Sequence, residues 1–348
     1  MILLEKELWV KMPEITCAEI ERAQERIGEY IKKTPILTPS TLSKKLGIDL
    51  LLKPEFLQET GSFKIRGAMN AMLSMSGKER DQGVTTASSG NHGPALACAA
   101  RKLGAEATIC LSKLVPENKI ENVVKNGGKV QIIGKDYDES LEHCLDLVEN
   151  KNIKLVHPFD DPHVVCGAGT VGLEILDENI DDIDCILVPV SGGGLLAGIA
   201  TAVKSYKPKI RVIGVSMERG ASMFESIKAK KPVNVKEEET IADALGGNIG
   251  LHNQWTFETI QKLADDIITV NENLIKSALK LIHSSEGLEV EGAGAVGVAA
   301  IMASKLPVKG KALCVLSGKN IARETILKIL NNTLVNPRYV ISLRSKID

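Results

Sequence analysis

The sequence predicts an α/β protein built as two doubly wound open-sheet lobes. Three observations point there. Short runs of aliphatic and β-branched residues alternate with longer stretches of helical periodicity, the order that parallel strands joined by crossover helices require. Some of those runs, such as "CILVPV" and the "ALCVL" of "ALCVLS", are apolar throughout, as strands covered on both faces must be. The turns after them are glycine or small polar residues leading straight into a helix, as in "SSGNHG" and "SGGGLL". Open α/β sheets bind their ligands at such corners.

In chain order, "VTTAS" reads as a strand followed by the helix "HGPALACAARKLG", "EATICLS" as a strand before "PENKIENVVKNGG", and "KVQIIG" as a strand before "YDESLEHCLDLVENK". The second half repeats the pattern with "CILVPV" before "GLLAGIATAVKSY", then "RVIGVS", "DIITVN" before "ENLIKSALKLIHSSEG", and "ALCVLS" last. No fixed-period repeat, low-complexity tract or proline-rich linker divides the chain. The lobes are therefore expected to exchange chain, with residues 1–82 and 161–348 in a large lobe and 83–160 in a smaller one. Residues 217–243, with a basic cluster and then three glutamates, break the rhythm and read as a solvated surface segment.

Composition narrows the function classes. The 348 residues are 44% hydrophobic, enough for a substantial core. With 43 basic and 44 acidic residues interspersed, the net charge is -1, which gives no field for drawing in nucleic acid or an anionic membrane. Aromatics at 3% leave little for base stacking or membrane belts. The seven cysteines lie in apolar segments without metal-ligand spacing and read as reduced core thiols. The N-terminal "MILLEKELWVKMPEIT" has no signal-peptide pattern, and no stretch is apolar long enough to span a bilayer. The expectation is a cytoplasmic protein with a small-molecule partner.

Four places carry chemistry. In "ETGSFKIRGAMN", residues 59–70, Lys64 stands between a small-residue turn and an apolar segment. It reads either as a solvated charge at a helix start, like Arg66 and Lys53 nearby, or as a pocket amine whose pKa desolvation lowers until it can attack a carbonyl. Ser191, Gly192, Gly193 and Gly194 join an apolar strand to a helix, so their amides can converge on one anion at the positive end of the helix. The spacing of a nucleotide triphosphate or dinucleotide loop is absent, so a single phosphate fits best, with a purely structural turn as the other reading. At the second corner, Ser88, Ser89, Gly90, Asn91 and His92 offer hydroxyls, an amide and a ring suited to a substrate carboxylate, although His92 can equally be a capping residue. Ser317, at the end of "ALCVLS", places a hydroxyl at the crevice edge. Together these describe a site for pyridoxal 5'-phosphate and an amino acid.

The segments "GSFKIRGA", "SSGNHG", "GAGTVGLEI", "PVSGGGLLAG" and "SGKN", in this order, resemble the serine/threonine dehydratase and serine racemase group of fold-type II pyridoxal-phosphate enzymes, with a tryptophan synthase β-like fold. The resemblance extends over nearly the whole chain. It implies that Lys64 is the lysine that carries the cofactor as a Schiff base and removes the substrate's α-proton. Phe63 and Asn91 would contact the cofactor ring, Glu291 would lie near it, Ser191 to Leu195 would hold the phosphate, and Ser317 would meet the pyridine nitrogen. Ser88, Ser89, Gly90, Asn91 and His92 would seat the substrate, with the large lobe holding the cofactor and the small lobe closing. The implied activity is an ammonia-lyase that dehydrates L-threonine, L-serine or a related β-hydroxy amino acid to a 2-oxo acid and ammonia, in a homodimer or homotetramer.

Within the group the signals divide. "PFDDP", residues 158–162, resembles the dehydratase branch, whereas Ser89 resembles the racemase serine that reprotonates the α-carbon from the opposite face. The acidic positions of metal-activated racemases fall on Ser216 and Ser222, with Glu218 close by, so no metal is expected. The chain ends soon after the catalytic part, so no regulatory domain is expected. "ADALGGNIGLHNQWTF" and "VEGAGAVG" look closest to members acting on hydroxyaspartate-like or ectoine-derived substrates. A β-replacement enzyme of the same fold and a non-catalytic phosphate-binding module remain as rivals.

Overall fold

The computed structural model describes residues 15–331 apart from Leu114, Asp136 and Lys305, and apart from the side chains of Tyr137 and Asp138. The N-terminal segment read for a targeting signal lies, but for its last two residues, outside them. Two parallel sheets form the frame. The larger contains β1 (Leu50–Pro54), β6 (Ile183–Pro189), β7 (Arg211–Met217), β8 (Asp266–Val270) and β9 (Lys311–Leu316), in the order β1-β9-β6-β7-β8. The smaller contains β2 (Val84–Ala87), β3 (Ala107–Leu111), β4 (Lys129–Ile132) and β5 (Lys154–Leu155), in the order β4-β3-β2-β5. Every pairing in both sheets is parallel.

The strand order fixes where a ligand can bind. In the larger sheet the chain steps outward from β6 to β7 and β8, then returns to lay β9 on the other side of β6. In the smaller sheet β3 and β4 lie on one side of β2 and β5 on the other. Each sheet therefore has a switch point, β6/β9 in one and β2/β5 in the other, and a crevice opens at the carboxyl ends of strands there.

Apolar residues on both faces of the larger sheet feed separate cores. Leu187, Val215 and Cys314 pack with the helices Glu272–Glu286 and Gly292–Met302, while Ile186, Val188 and Leu313 pack with the helices Pro162–Asp177 and Gly194–Tyr206. The helix Lys64–Ser74 joins the core beside the smaller sheet through Ile65, Met69 and Met72, which pack with Leu96 and Ile109. Local signals set the helix ends. Asp161 caps Pro162–Asp177 by accepting from the amides of His163 and Val164, with Pro162 pre-set at the first helical position. Asn271 caps Glu272–Glu286, and Gly287 closes that helix in the left-handed conformation. All seven cysteines are free thiols, six of them buried. No helix among the described residues is long and apolar enough to cross a membrane.

Two charged positions differ from the reading as wet-face residues. Lys53 and Arg66 are 0% and 1% exposed, because Glu55 and Glu174 meet them inside the protein. The glutamates of the 217–243 segment also differ from plain surface. Glu237 and Glu239 are exposed, yet Glu237, Glu238 and Glu239 line the mouth of the main cleft, because the chain after the helix Ser222–Ala229 folds across the end of β6.

Candidate active site

A cleft of about 440 Å³ lies where the two switch points face each other, within the ~300–1,000 Å³ usual for small-molecule sites. Phe63, Lys64, Ser88 to His92, Ser191 to Leu195, Glu291 and Ser317 all line it, so every residue singled out as a site candidate converges there.

Lys64 is the first residue of the helix Lys64–Ser74 and half-buried. Its Nζ donates to the Pro158 carbonyl at 2.6 Å and lies 5.3 Å from the centre of the Phe63 ring. Among the described residues no carboxylate pairs with it, and burial brings its pKa down to about 8. The turn before it is fastened to the end of β9. The Phe63 amide donates to the Ser317 carbonyl at 3.0 Å and the Lys319 amide to the Gly61 carbonyl at 3.0 Å. The lysine and the Ser317 hydroxyl therefore share one rigid corner.

Ser191 to Leu195 follow β6. Among the described residues, no protein acceptor meets the amides of Gly192, Gly193, Gly194 or Leu195. Four unpaired donors around a helix N-terminus form a nest suited to one anion of phosphate size. The glycines there serve the packing beneath the loop. A Cβ on Gly192 would lie 2.2 Å from the Phe159 ring, and one on Gly193, whose φ is +92°, would lie 2.5 Å from Ile260 Cδ1 and 2.8 Å from Met223 Cε. Phe159, which sequence reasoning used only to choose between branches, is the floor of the nest.

The corner after β2 repeats the arrangement. The amides of Ser89, Gly90, Asn91 and His92 likewise meet no protein acceptor among the described residues. Asn91 is fixed on both sides, donating from Nδ2 to Glu291 Oε1 and accepting from Asn320 Nδ2, each at 2.7 Å. Asn320 was legible only as part of "SGKN"; its place four residues beyond β9 is the signal that could have marked it. His92 does not cap its helix. Its ring is buried with Nε2 3.2 Å from the Val156 carbonyl, and burial, reinforced by the Lys64 cation, lowers its pKa to about 3. Burial, with the Asp243 carboxylate adding to it, raises Glu291 to about 7. Glu291 Oε2 and His92 Nδ1 are buried without a protein partner. No cluster of three or more potential metal ligands occurs among the described residues, and at the positions considered for a metal Ser216 is buried while Ser222 accepts from the Ile249 amide.

An unpaired amide nest, a lysine without a counter-ion, buried polar atoms without partners and the Ser317 hydroxyl fit a phosphorylated aromatic aldehyde. Comparison with known proteins names it. A family profile described as pyridoxal-phosphate dependent enzyme matches residues 27–318. The chain belongs to that family. Its cofactor is pyridoxal 5'-phosphate. This pyridoxal-phosphate enzyme is 40% identical to an L-threonine ammonia-lyase of Thermotoga maritima, over 92% of this chain and 79% of that protein. It is 38% identical to an L-threonine ammonia-lyase of Geobacter sulfurreducens, over 94% and 81%. Among solved structures it resembles maize serine racemase with a TM-score of 0.86 and 32% identity, covering 91% of this chain and 97% of that one. The fold class expected from the strand and helix alternation is the one the family shares.

Proposed function

We propose that this chain is an ammonia-lyase that dehydrates L-threonine, L-serine or a related β-hydroxy amino acid to a 2-oxo acid and ammonia. The observation that carries the reading is Lys64 standing, without a counter-ion, between two nests of unpaired amides. The L-threonine ammonia-lyases among its relatives support it. Bound pyridoxal phosphate supplies the electron sink that makes the substrate α-proton removable.

The chain's own residues do the rest. Gly192 to Leu195 would hold the phosphate with their amides, and the Ser317 hydroxyl would meet the ring nitrogen. Phe63, Asn91 and Glu291 border the ring. Ser88 to His92 seat the substrate carboxylate, which points the α-proton at Lys64. An amine of pKa about 8 is neutral in roughly a quarter of molecules near pH 7.5, far more than an ordinary lysine, and acts as the general base. With the α-proton on Lys64, the bond from Cβ to the hydroxyl oxygen breaks, the oxygen takes that proton and leaves as water, and the released enamine takes up water in solution to give the 2-oxo acid and ammonia. Ser89 is exposed in the same cleft and is read as the proton donor for a racemising side reaction.

A panel of β-hydroxy amino acids, assayed for ammonia and 2-oxo acid without an added nucleophile, tests the reading. Turnover is expected with L-threonine or L-serine, and no turnover with any member would overturn it. Chiral analysis is expected to find a D-amino acid side product that Ser89→Ala abolishes, with dehydration kept within about tenfold. Equal D-product from the variant, or none from the wild type, removes Ser89 from the chemistry.

A further inference from the structure

The helix that begins with Lys64 crosses the helix Pro162–Asp177 at a glycine from each, Gly67 and Gly167. A Cβ on Gly67 would lie 2.7 Å from the Val164 carbonyl oxygen, and one on Gly167 would lie 2.5 Å from the Arg66 carbonyl oxygen. The backbones pack tightly there, Val164 Cγ1 fills the notch at Gly67, and Asn70 Nδ2 donates to the His163 carbonyl at 2.7 Å. The interlock lies beside the crossing. Arg66 donates to Glu55 from Nε at 2.7 Å and Nη2 at 2.8 Å, and to Glu174 from Nη1 at 2.6 Å and Nη2 at 2.9 Å. Its Nη1 also reaches Thr170 Oγ1 at 3.1 Å. Lys53 Nζ donates to Glu174 Oε2 at 2.6 Å and to the Thr34 carbonyl at 2.7 Å. Two cations face two anions, all four almost fully buried.

Such a cluster loses hydration on burial, and an apolar filling of the same space can be equally stable. Its distinguishing property is direction. A planar guanidinium held along two edges by two carboxylates admits one placement of its helix. The helix of Arg66 carries Lys64 two residues earlier, about 200° round the axis and so toward the cleft. The helix of Glu174 is preceded by Pro158, which accepts the Lys64 hydrogen bond, and by Phe159, which floors the phosphate nest. Both ends of the lysine's hydrogen bond thus depend on a register that Arg66 and Glu174 help to set, beside the Asn70 bond to the His163 carbonyl.

We propose that Arg66 is a positioning residue: gripped by Glu55 and Glu174, with Lys53 balancing the charge, it sets the Lys64 amine against the Pro158 carbonyl and the glycine loop. The proposal rests on the reading of Lys64 given above. The alternative role for the cluster is stability alone, and charge balance separates the two. Glu174→Gln leaves Lys53 and Arg66 facing Glu55 alone, a buried excess of positive charge that destabilises the protein in either case. Adding Lys53→Met restores neutrality. A stabilising cluster would then recover everything. Positioning predicts that the double variant K53M/E174Q recovers its Tm to within a few degrees but not its function.

The experiment measures how fast apoprotein captures pyridoxal phosphate at about pH 7.5, with borohydride trapping and mass spectrometry reading the label on Lys64, alongside kcat and KM. Capture in the double variant, and in Arg66→Lys, which keeps the charge and loses the planar fork, is expected to be at least about fivefold slower than wild type. The expected kcat is at least about tenfold lower with KM within about threefold. Thr170→Val removes one contact to Arg66, leaves every charge in place, and serves if the other variants do not fold; about twofold slower capture is expected. Wild-type capture rates in the folded variants overturn the positioning role. Wild-type protein that takes no label on Lys64 overturns the reading on which it rests.

Discussion

Burial holds the Glu291 carboxyl at about 7 in the folded protein, against 4.5 for an ordinary glutamate. A raised acid pKa means that the fold prefers the protonated form. The contribution is fully present below about pH 4.5 and is lost as pH rises through about 7, where ionisation places an uncompensated charge in the interior. Glu291→Gln is therefore expected to leave the apoprotein's Tm unchanged near pH 4 and to raise it by roughly 2–4 °C at pH 8. Parallel Tm curves for variant and wild type across that range would show that Glu291 does not titrate this way. At this scale the sequence was most legible where chemistry sits in a contiguous motif, as with Lys64 and Ser88 to His92. It was least legible for Lys53 and Arg66, because the partners that make their burial tolerable are far away in sequence; Glu174 is 108 residues from Arg66. No local pattern separates a charge awaiting such a partner from a charge awaiting water.

The strand-to-helix corners were readable because their cause is local, an apolar run, a small-residue turn and a helical period in succession. What the turn residues do was less readable. From sequence, Gly193 is expected to be needed for the phosphate's approach, so that a side chain there weakens cofactor binding before it weakens folding. The packing beneath the loop argues for the opposite order. The missing Cβ points at Ile260 and Met223, and φ of +92° disfavours any other residue. Gly193→Ala is expected to destabilise the apoprotein by about 1–3 kcal/mol, with cofactor affinity falling as a consequence of the displaced loop. Thermal melts of apoprotein decide, since an unchanged apo Tm with lost affinity would restore the sequence-based expectation. Short elements such as β5 (Lys154–Leu155) escaped because two residues carry no periodicity. β1 escaped because Lys53 interrupts an otherwise apolar run.

Across the whole molecule, two parallel sheets bring their switch points to one cleft and each supplies a nest of unpaired amides, one suited to a phosphate and the other to a carboxylate. Lys64 stands between them, fastened to β9 through Phe63 and to the segment after β5 through Pro158. Existence of the two sheets followed from alternation, whereas the way they face each other depends on contacts such as Asn91 with Glu291, 200 residues apart, which no window of sequence contains. The central claim is that this geometry makes Lys64 the amine that takes the cofactor. Borohydride reduction of the holoenzyme followed by peptide mass spectrometry tests it directly, with trapping on apoprotein repeated across pH. The account predicts one phosphopyridoxyl label, on Lys64, and a capture rate that rises with pH through a midpoint near 8, as an amine depressed by burial loses its proton. A label on any other lysine, or a midpoint near the ordinary lysine value of 10.5, would contradict it.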